Sequence, residues 1–256
     1  MAKILLQTTV RKNEGTWHAE RFSEAVSVLR DDGHEVVARD REPAADGADP
    51  ILSSLAESDF DELWLIAVER ANGLAPADVR GILRFRERGG GVLTARDREN
   101  LGTSLLNLGA LGLVNNFSAY NRERGRRFVR HSGDVGDYQR IVPLEPVHEV
   151  LRTRHSPSGT IEYFPAHPHE GAISVPKNVP YARAIAAATN VEDGRSFNLA
   201  IAIENERVAG GRTCGRAIAV SSLHHLADTD WTLARQREHL EVYKDYIRNI
   251  ARWLAP

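Results

Sequence analysis

The chain is poor in several things that would assign it to a class at once. It holds one cysteine, Cys214, and one methionine in 256 residues. A single thiol cannot build an internal disulfide framework, and it fits a reducing compartment. Basic and acidic residues number 33 and 35, for a net charge of −2, so no overall field draws the chain to nucleic acid or to a membrane surface. Long apolar runs are missing too. The N-terminal "AKILLQTTV" is too short for a signal peptide or a membrane span. Neither an internal repeat nor a low-complexity tract occurs. These absences point to a cytoplasmic protein whose partner is a small-molecule ligand, with no role for nucleic acid or membrane.

What is present is ordinary globular material, 42% hydrophobic and 27% charged, long enough for one sizeable core. Short apolar runs alternate with helical spacings. "KILLQTTV" (Lys3 to Val10), "HEVVARD" (His34 to Asp40), "DELWLIAV" (Asp61 to Val68) and "GVLTA" (Gly91 to Ala95) read as strands. Between them, His18 to Gly33 places Phe22, Ala25, Val26 and Leu29 at helical spacing. Ala75 to Gly90 begins with Pro76 and ends in glycines. Strands alternating with helices predict a mostly parallel open sheet covered on both faces, here one α/β domain over residues 1–256. A loop-rich insertion is expected from about 115 to 180. After it, Tyr181 to Thr189, Phe197 to Glu204 and Gly215 to Leu223 read as three more strands. A last helix follows, with Leu240, Tyr243, Ile247, Ile250 and Leu254 on one face and Asp228 or Asp230 capping its start.

In such sheets the carboxyl ends of the strands open onto the ligand crevice. Two strands here run into polar groups. After "GGGVLTA" come Arg96 and Asp97, before a helix expected near Asn100. They either form an ion pair capping that helix or serve a site. After "GRAIAV" come Ser221, Ser222, His224 and His225. Neighbouring residues of an extended chain face opposite ways, so one histidine should line the crevice and the other support it, with His224 preferred for the crevice. The segment "EYFPAHPHEG" adds His167, His169 and Glu170. His-x-His on an extended chain presents both imidazoles to one side. That allows a divalent metal held by His167, His169 and His224, a metal-free polar site, or a structural loop. Within the insertion, "NRERGRRFVRH" carries five arginines, Arg122 to Arg130, and reads either as a solvated or subunit-facing loop or as an anion clamp.

"FDELWLIAVERANGLAPADVRGILRFRERGGGVLTARD" resembles the core of the class I glutamine amidotransferase-like superfamily, especially its trehalose-utilization (ThuA-like) branch, and "GRAIAVSSLHHLADTDW" is similar to that branch's closing strand and histidine-bearing turn. The resemblance implies a flavodoxin-like sheet and a pocket for a small polar, carbohydrate-like ligand. One departure matters. Amidotransferases carry a nucleophilic cysteine in the turn after the "GGG" strand, whereas Arg96 and Asp97 stand there and Cys214 precedes the last strand. Glutamine hydrolysis through a thiolate is therefore not expected. The expected chemistry is proton transfer or hydrolysis, with Asp97, His169, Glu170 and His224 as acid–base groups and Arg96, His167, His225 and Ser222 binding the substrate. The alternative is a binding or scaffold protein that kept the fold without the chemistry. Folds of this class often form homodimers, and a homodimer is expected here.

Overall fold

In the computed structural model, which describes residues 1–12, 14–70, 73–116, 130–132, 134–171, 173–208 and 210–256, the N-terminal apolar run forms β1 (Lys3–Arg11). Its interior positions are all buried, as a strand covered on both faces requires. In chain order follow β2 (Glu35–Arg41), β3 (Glu62–Ile66), β4 (Gly91–Ala95), β5 (Asp137–Arg140), β6 (Val142–Pro143), β7 (Tyr163–Ala166), β8 (Ala182–Thr189), β9 (Ser196–Ile203) and β10 (Ala217–Val220). Eight of them make one sheet in the order β2-β1-β3-β4-β10-β9-β8-β6, while β5 and β7 pair separately. The pairings from β2 through β10 are parallel. Those of β10 with β9, β9 with β8, and β8 with β6 are antiparallel.

The helices are α1 (Ser23–Asp31), α2 (Pro50–Ser53), α3 (Pro76–Glu87), α4 (Gly109–Val114), α5 (Asp228–Thr232) and α6 (Arg237–Leu254). Alternation along the strands splits the core in two. Ile4, Leu6, Trp64 and Ile66 pack with Phe22 and Leu29 beside α1 and with Tyr243, Ile247 and Ile250 of α6. Leu5, Leu63 and Leu65 pack the other way, onto Leu52 of α2, Ile82 and Phe85 of α3, and Leu111 of α4. This is the expected flavodoxin-like α/β fold, a mostly parallel sheet with helices on both faces. Pro76 opens α3, and the Asp78 carboxylate accepts the Ala75 N–H at 2.9 Å, fixing its first turn.

Three local expectations need correction. No helix begins near Asn100. The chain turns through Gly102, at φ +65°, into a 3₁₀ turn over Thr103–Asn107 and only then into α4. A side chain at Gly102 would meet the Ala67 carbonyl at 2.5 Å, so the turn must stay open there. Second, Asp228 and Asp230 do not cap the last helix. They belong to the separate α5, and the Asp228 carboxylate instead accepts the Ser23 and Glu24 N–H groups at the start of α1. Third, the insertion is more regular than its sequence suggests, because β5, β6 and β7 fall inside it. Of the Arg122–Arg130 stretch, residues 122–129 lie outside the described residues. Arg130 pairs with Glu192 at 2.8 Å.

Candidate active site

The end of β4 sets the first part of the site. Arg96 is buried, and its guanidinium donates to the carbonyls of Asn115, Arg98 and Glu99 at 2.9, 3.0 and 2.6 Å. Those bonds stitch the turn to the end of α4. Arg96 is thus a builder of the loop rather than the ligand clamp expected of it, and it does not ion-pair with Asp97. Asp97 is buried as well, and its Oδ2 accepts from Arg98 Nε at 3.0 Å. Its Oδ1 has no hydrogen-bond partner among the described residues. Burial raises its carboxyl above the usual range, with His224 and Arg98 pulling the other way.

The end of β10 supplies the second part. Ser222 Oγ accepts the His224 N–H at 3.2 Å, which shapes the turn. The two histidines then diverge. His225 is fully buried against the Phe164 ring, and its Nε2 lies 3.2 Å from Glu170 Oε1. His224 turns toward Trp17, whose ring stands edge-on at 5.0 Å.

The loop after β7 crosses both ends. Gly171 donates to the Ser221 carbonyl at 2.7 Å, and a Cβ at Gly171 would lie 2.4 Å from the carbonyls of Asp97 and Ser221 alike. This close approach docks His167, His169 and Glu170 over β4 and β10. Glu170 is wholly buried. Its Oε2 accepts from Ser221 Oγ at 2.7 Å, Oε1 faces His225, and His131 Nδ1 sits 3.4 Å away, within ion-pair reach but off the line of a hydrogen bond. Burial alone would raise its carboxyl, but His225 and His131 outweigh that and hold it far below the ordinary range. Glu170, expected as an acid–base group, is thus the hub that ties three segments together.

His167 stacks flat on His224, ring centroids 3.3 Å apart and planes 5° apart. Burial pushes both imidazoles down to about 4, so both are neutral near pH 7. Two stacked imidazoliums would repel, so neutrality is also what the stack needs. Asp230 closes the group, its Oδ2 3.1 Å from His224 Nδ1 and its Oδ1 buried without a partner. Burial pushes the Asp230 carboxyl up to about 7, against the pull of His167 and His225. Donor atoms of His167, His224 and Asp230 all lie within 4.8 Å of one another. His169, expected as the third member, is absent from this set. It is half-buried with its ring 5.6 Å from that of His167, and its pKa is lowered by burial and by Arg98 and Arg130.

A cavity of ≈ 540 Å³ opens beside this cluster, over the carboxyl ends of β1 and β3. That is where the strand order reverses, the usual ligand position in an open α/β sheet. Thr9, Trp17, Glu69, Arg70, Arg98 and Leu101 are among its walls. Two of these walls also touch the cluster: Trp17 abuts His224, and Arg98 pairs with Asp97. Glu69 is buried, bonded to Thr9 Oγ1 and accepting the Ser104 N–H at 2.7 Å.

Sequence reasoning brought Asp97, His167, His169, Glu170, His224 and His225 to this rim but missed Asp230, Trp17, Glu69 and His131. Asp230 could have been found, being only six residues beyond His224 in an acidic segment that follows the histidine turn. Trp17 carries no such signal, since only the folded sheet brings it to His224.

Fold and site together define a flavodoxin-like α/β protein with a buried histidine–carboxylate centre on the carboxyl rim of its sheet. No family model matches the chain, and no curated protein matches it in sequence. Among solved structures it is similar to cytoplasmic protein STM1381 of Salmonella typhimurium LT2 (TM-score 0.60, 11% identity, 99% of this chain and 100% of that one). It is also similar to cytoplasmic protein STM3548 of Salmonella typhimurium (TM-score 0.54, 12% identity, 98% of each chain). A ThuA-like protein from Parabacteroides merdae ATCC 43184 matches more distantly, at TM-score 0.49 and 14% identity over 99% of this chain and 89% of that one. At these identities the likeness concerns the fold alone.

Proposed function

We propose that the chain is a ThuA-like protein that binds a small polar, carbohydrate-like ligand in the switch-point cavity and transforms it by proton transfer or hydrolysis, without a cysteine nucleophile. One observation carries this reading: two walls of the cavity, Trp17 and Arg98, are also direct contacts of the acid–base cluster, at His224 and Asp97. An aromatic wall beside mixed donors and acceptors suits a sugar ring, which presents an apolar face and a hydroxyl edge. The cavity walls carry both signs, Arg11, Arg70 and Arg98 against Glu14 and Glu69, which suits a neutral ligand better than an anion. In this reading neutral His224 accepts the proton, and Asp230 and Asp97 orient it or take the charge that follows. His169, half-buried near the rim, is the second group able to exchange a proton with a bound ligand.

The competing reading is a non-catalytic binding protein. It is favoured by the internal commitments of Arg96 and Glu170, which leave fewer groups for chemistry than the sequence promises. A thermal-shift screen of neutral mono- and disaccharides and their keto forms decides first whether a ligand binds. Trp17→Ala should weaken binding of any hit by about tenfold. Turnover of that hit, lost in His224→Ala with binding retained, supports the enzyme. Binding without turnover favours the second reading, and a screen without hits, or a Trp17→Ala variant that binds as well as wild type, sinks the assignment of this cavity.

A further inference from the structure

We propose that His167, His224 and Asp230 hold one divalent transition-metal ion at the carboxyl rim. The donors come from three segments: the loop after β7, the turn after β10, and α5. All three are buried, and their donor atoms lie within 4.8 Å of one another. Such convergence of two imidazoles and a carboxylate in the buried interior needs a reason, because each group loses hydration when buried. The hydrogen bond between His224 and Asp230 compensates only part of it. Asp230 Oδ1 and Asp97 Oδ1 remain buried without hydrogen-bond partners among the described residues. Asp97, Glu170 and Asp230 bring three carboxyl groups to one buried region; Arg98 pairs with Asp97, His225 and His131 face Glu170, and Asp230 meets His224, which is neutral near pH 7. A dication supplies the missing positive charge and takes up an orphaned oxygen.

The donor set indicates the kind of ion. Imidazole nitrogen with one carboxylate suits Zn²⁺, Co²⁺ or Mn²⁺, whereas Mg²⁺ and Ca²⁺ prefer all-oxygen shells. Three protein ligands leave a coordination position open for water or a substrate oxygen, as in catalytic rather than structural sites. Parallel rings 3.3 Å apart aim their lone pairs alongside each other, so one imidazole must swing out of the stack for both to meet one ion. His169 stands at the margin of the site as a neighbour of His167 rather than as a ligand.

The inference deepens the reading given above, since the ion would lie beside the same cavity, yet it can fail separately. The full-length chain, stripped with a chelator, is titrated calorimetrically with ZnCl₂, CoCl₂, MnCl₂ and MgCl₂. The expected result is one Zn²⁺ or Co²⁺ per chain, with Mg²⁺ much weaker. The Co²⁺ form should show visible absorption bands of a low-coordinate nitrogen–oxygen site. His167→Gln and Asp230→Asn should each weaken Zn²⁺ binding by at least about tenfold, while His169→Ala changes it by less than about threefold. Absence of saturable binding overturns the inference. So does binding that His169→Ala weakens and Asp230→Asn does not. Should either ligand variant fail to fold by circular dichroism, the wild-type Co²⁺ spectrum decides, and a spectrum like that of cobalt in buffer overturns the inference. Sugar binding that persists without any metal binding removes this inference and leaves the ligand assignment standing. Metal binding without sugar binding does the reverse.

Discussion

Glu62 shows how a single residue can set the response of this fold to pH. It lies at the start of β3 with no exposed surface, one oxygen accepting from Trp64 Nε1 at 2.8 Å and the other without a partner. Burial, reinforced by the neighbouring charge of Asp61, pushes its carboxyl up to about 8. The folded chain thus holds this proton more tightly than the unfolded chain does. The stability it contributes is fully present below the ordinary glutamate value and is lost as pH rises through 8. Glu62→Gln mimics the protonated form and keeps an acceptor for Trp64. Urea unfolding of the two proteins should give similar stabilities near pH 5, and the variant should gain on wild type by of order 1–3 kcal/mol toward pH 9. Parallel curves across that range would mean that Glu62 is ionised in the folded state. At this same scale the sequence misleads where a local role explains a residue well enough. Asp230 near a helix start looks like a cap, yet its carboxylate is aimed at His224. Glu170 between prolines and a glycine reads as an acid–base group, and it is sealed inside by Ser221 and His225.

Among the elements, the strands and long helices are legible because burial on both faces writes continuous apolar runs and the helices keep their spacing. β1, β3, β4 and β10 all appear where those runs predict them, with their ends within a few residues. β5, β6 and β7 are not legible, being two to four residues long and held by partners far along the chain, as Tyr138 is by Pro165. The same holds for the loop that carries His167. Its position depends on one backbone approach, Gly171 against the carbonyls of Asp97 and Ser221. Neither carbonyl can retreat, since each belongs to the turn that forms the site. Gly171→Ala should therefore lift the loop from the rim. The expected outcome is a loss of about 1–3 kcal/mol in stability, as for other overpacked positions, together with loss of sugar and metal binding out of proportion to it. Chemical denaturation and the two binding assays on one preparation test this. A variant that keeps full binding shows that the loop can dock without this contact.

For the molecule as a whole, the sheet keeps two rims apart, and the chemistry sits on one of them. β10 carries the chain from Gly215, packed against the Gly90 carbonyl at the amino end of β4, to Ser221 at the carboxyl end. Seven residues separate Cys214 from Ser221, roughly 20 Å of extended chain. Cys214 is buried near the amino rim, where burial raises its thiol above the ordinary value and Arg86 only partly offsets this. Such a thiol is protonated at neutral pH and far from the cavity, so it lacks both the charge and the position of a nucleophile. The turn after β4, on the opposite rim, holds Asp97 and no thiol. Cys214→Ala should leave sugar affinity, metal stoichiometry and any turnover within about twofold of wild type, as befits a change remote from the site. Asp97→Asn should cut turnover sharply while the chain stays folded, because its buried carboxyl interacts with His224 and keeps one oxygen without a hydrogen-bond partner among the described residues. The opposite pattern, activity lost with Cys214 and kept without Asp97, would require the working rim to be the amino one and would contradict the placement of every histidine in the cluster.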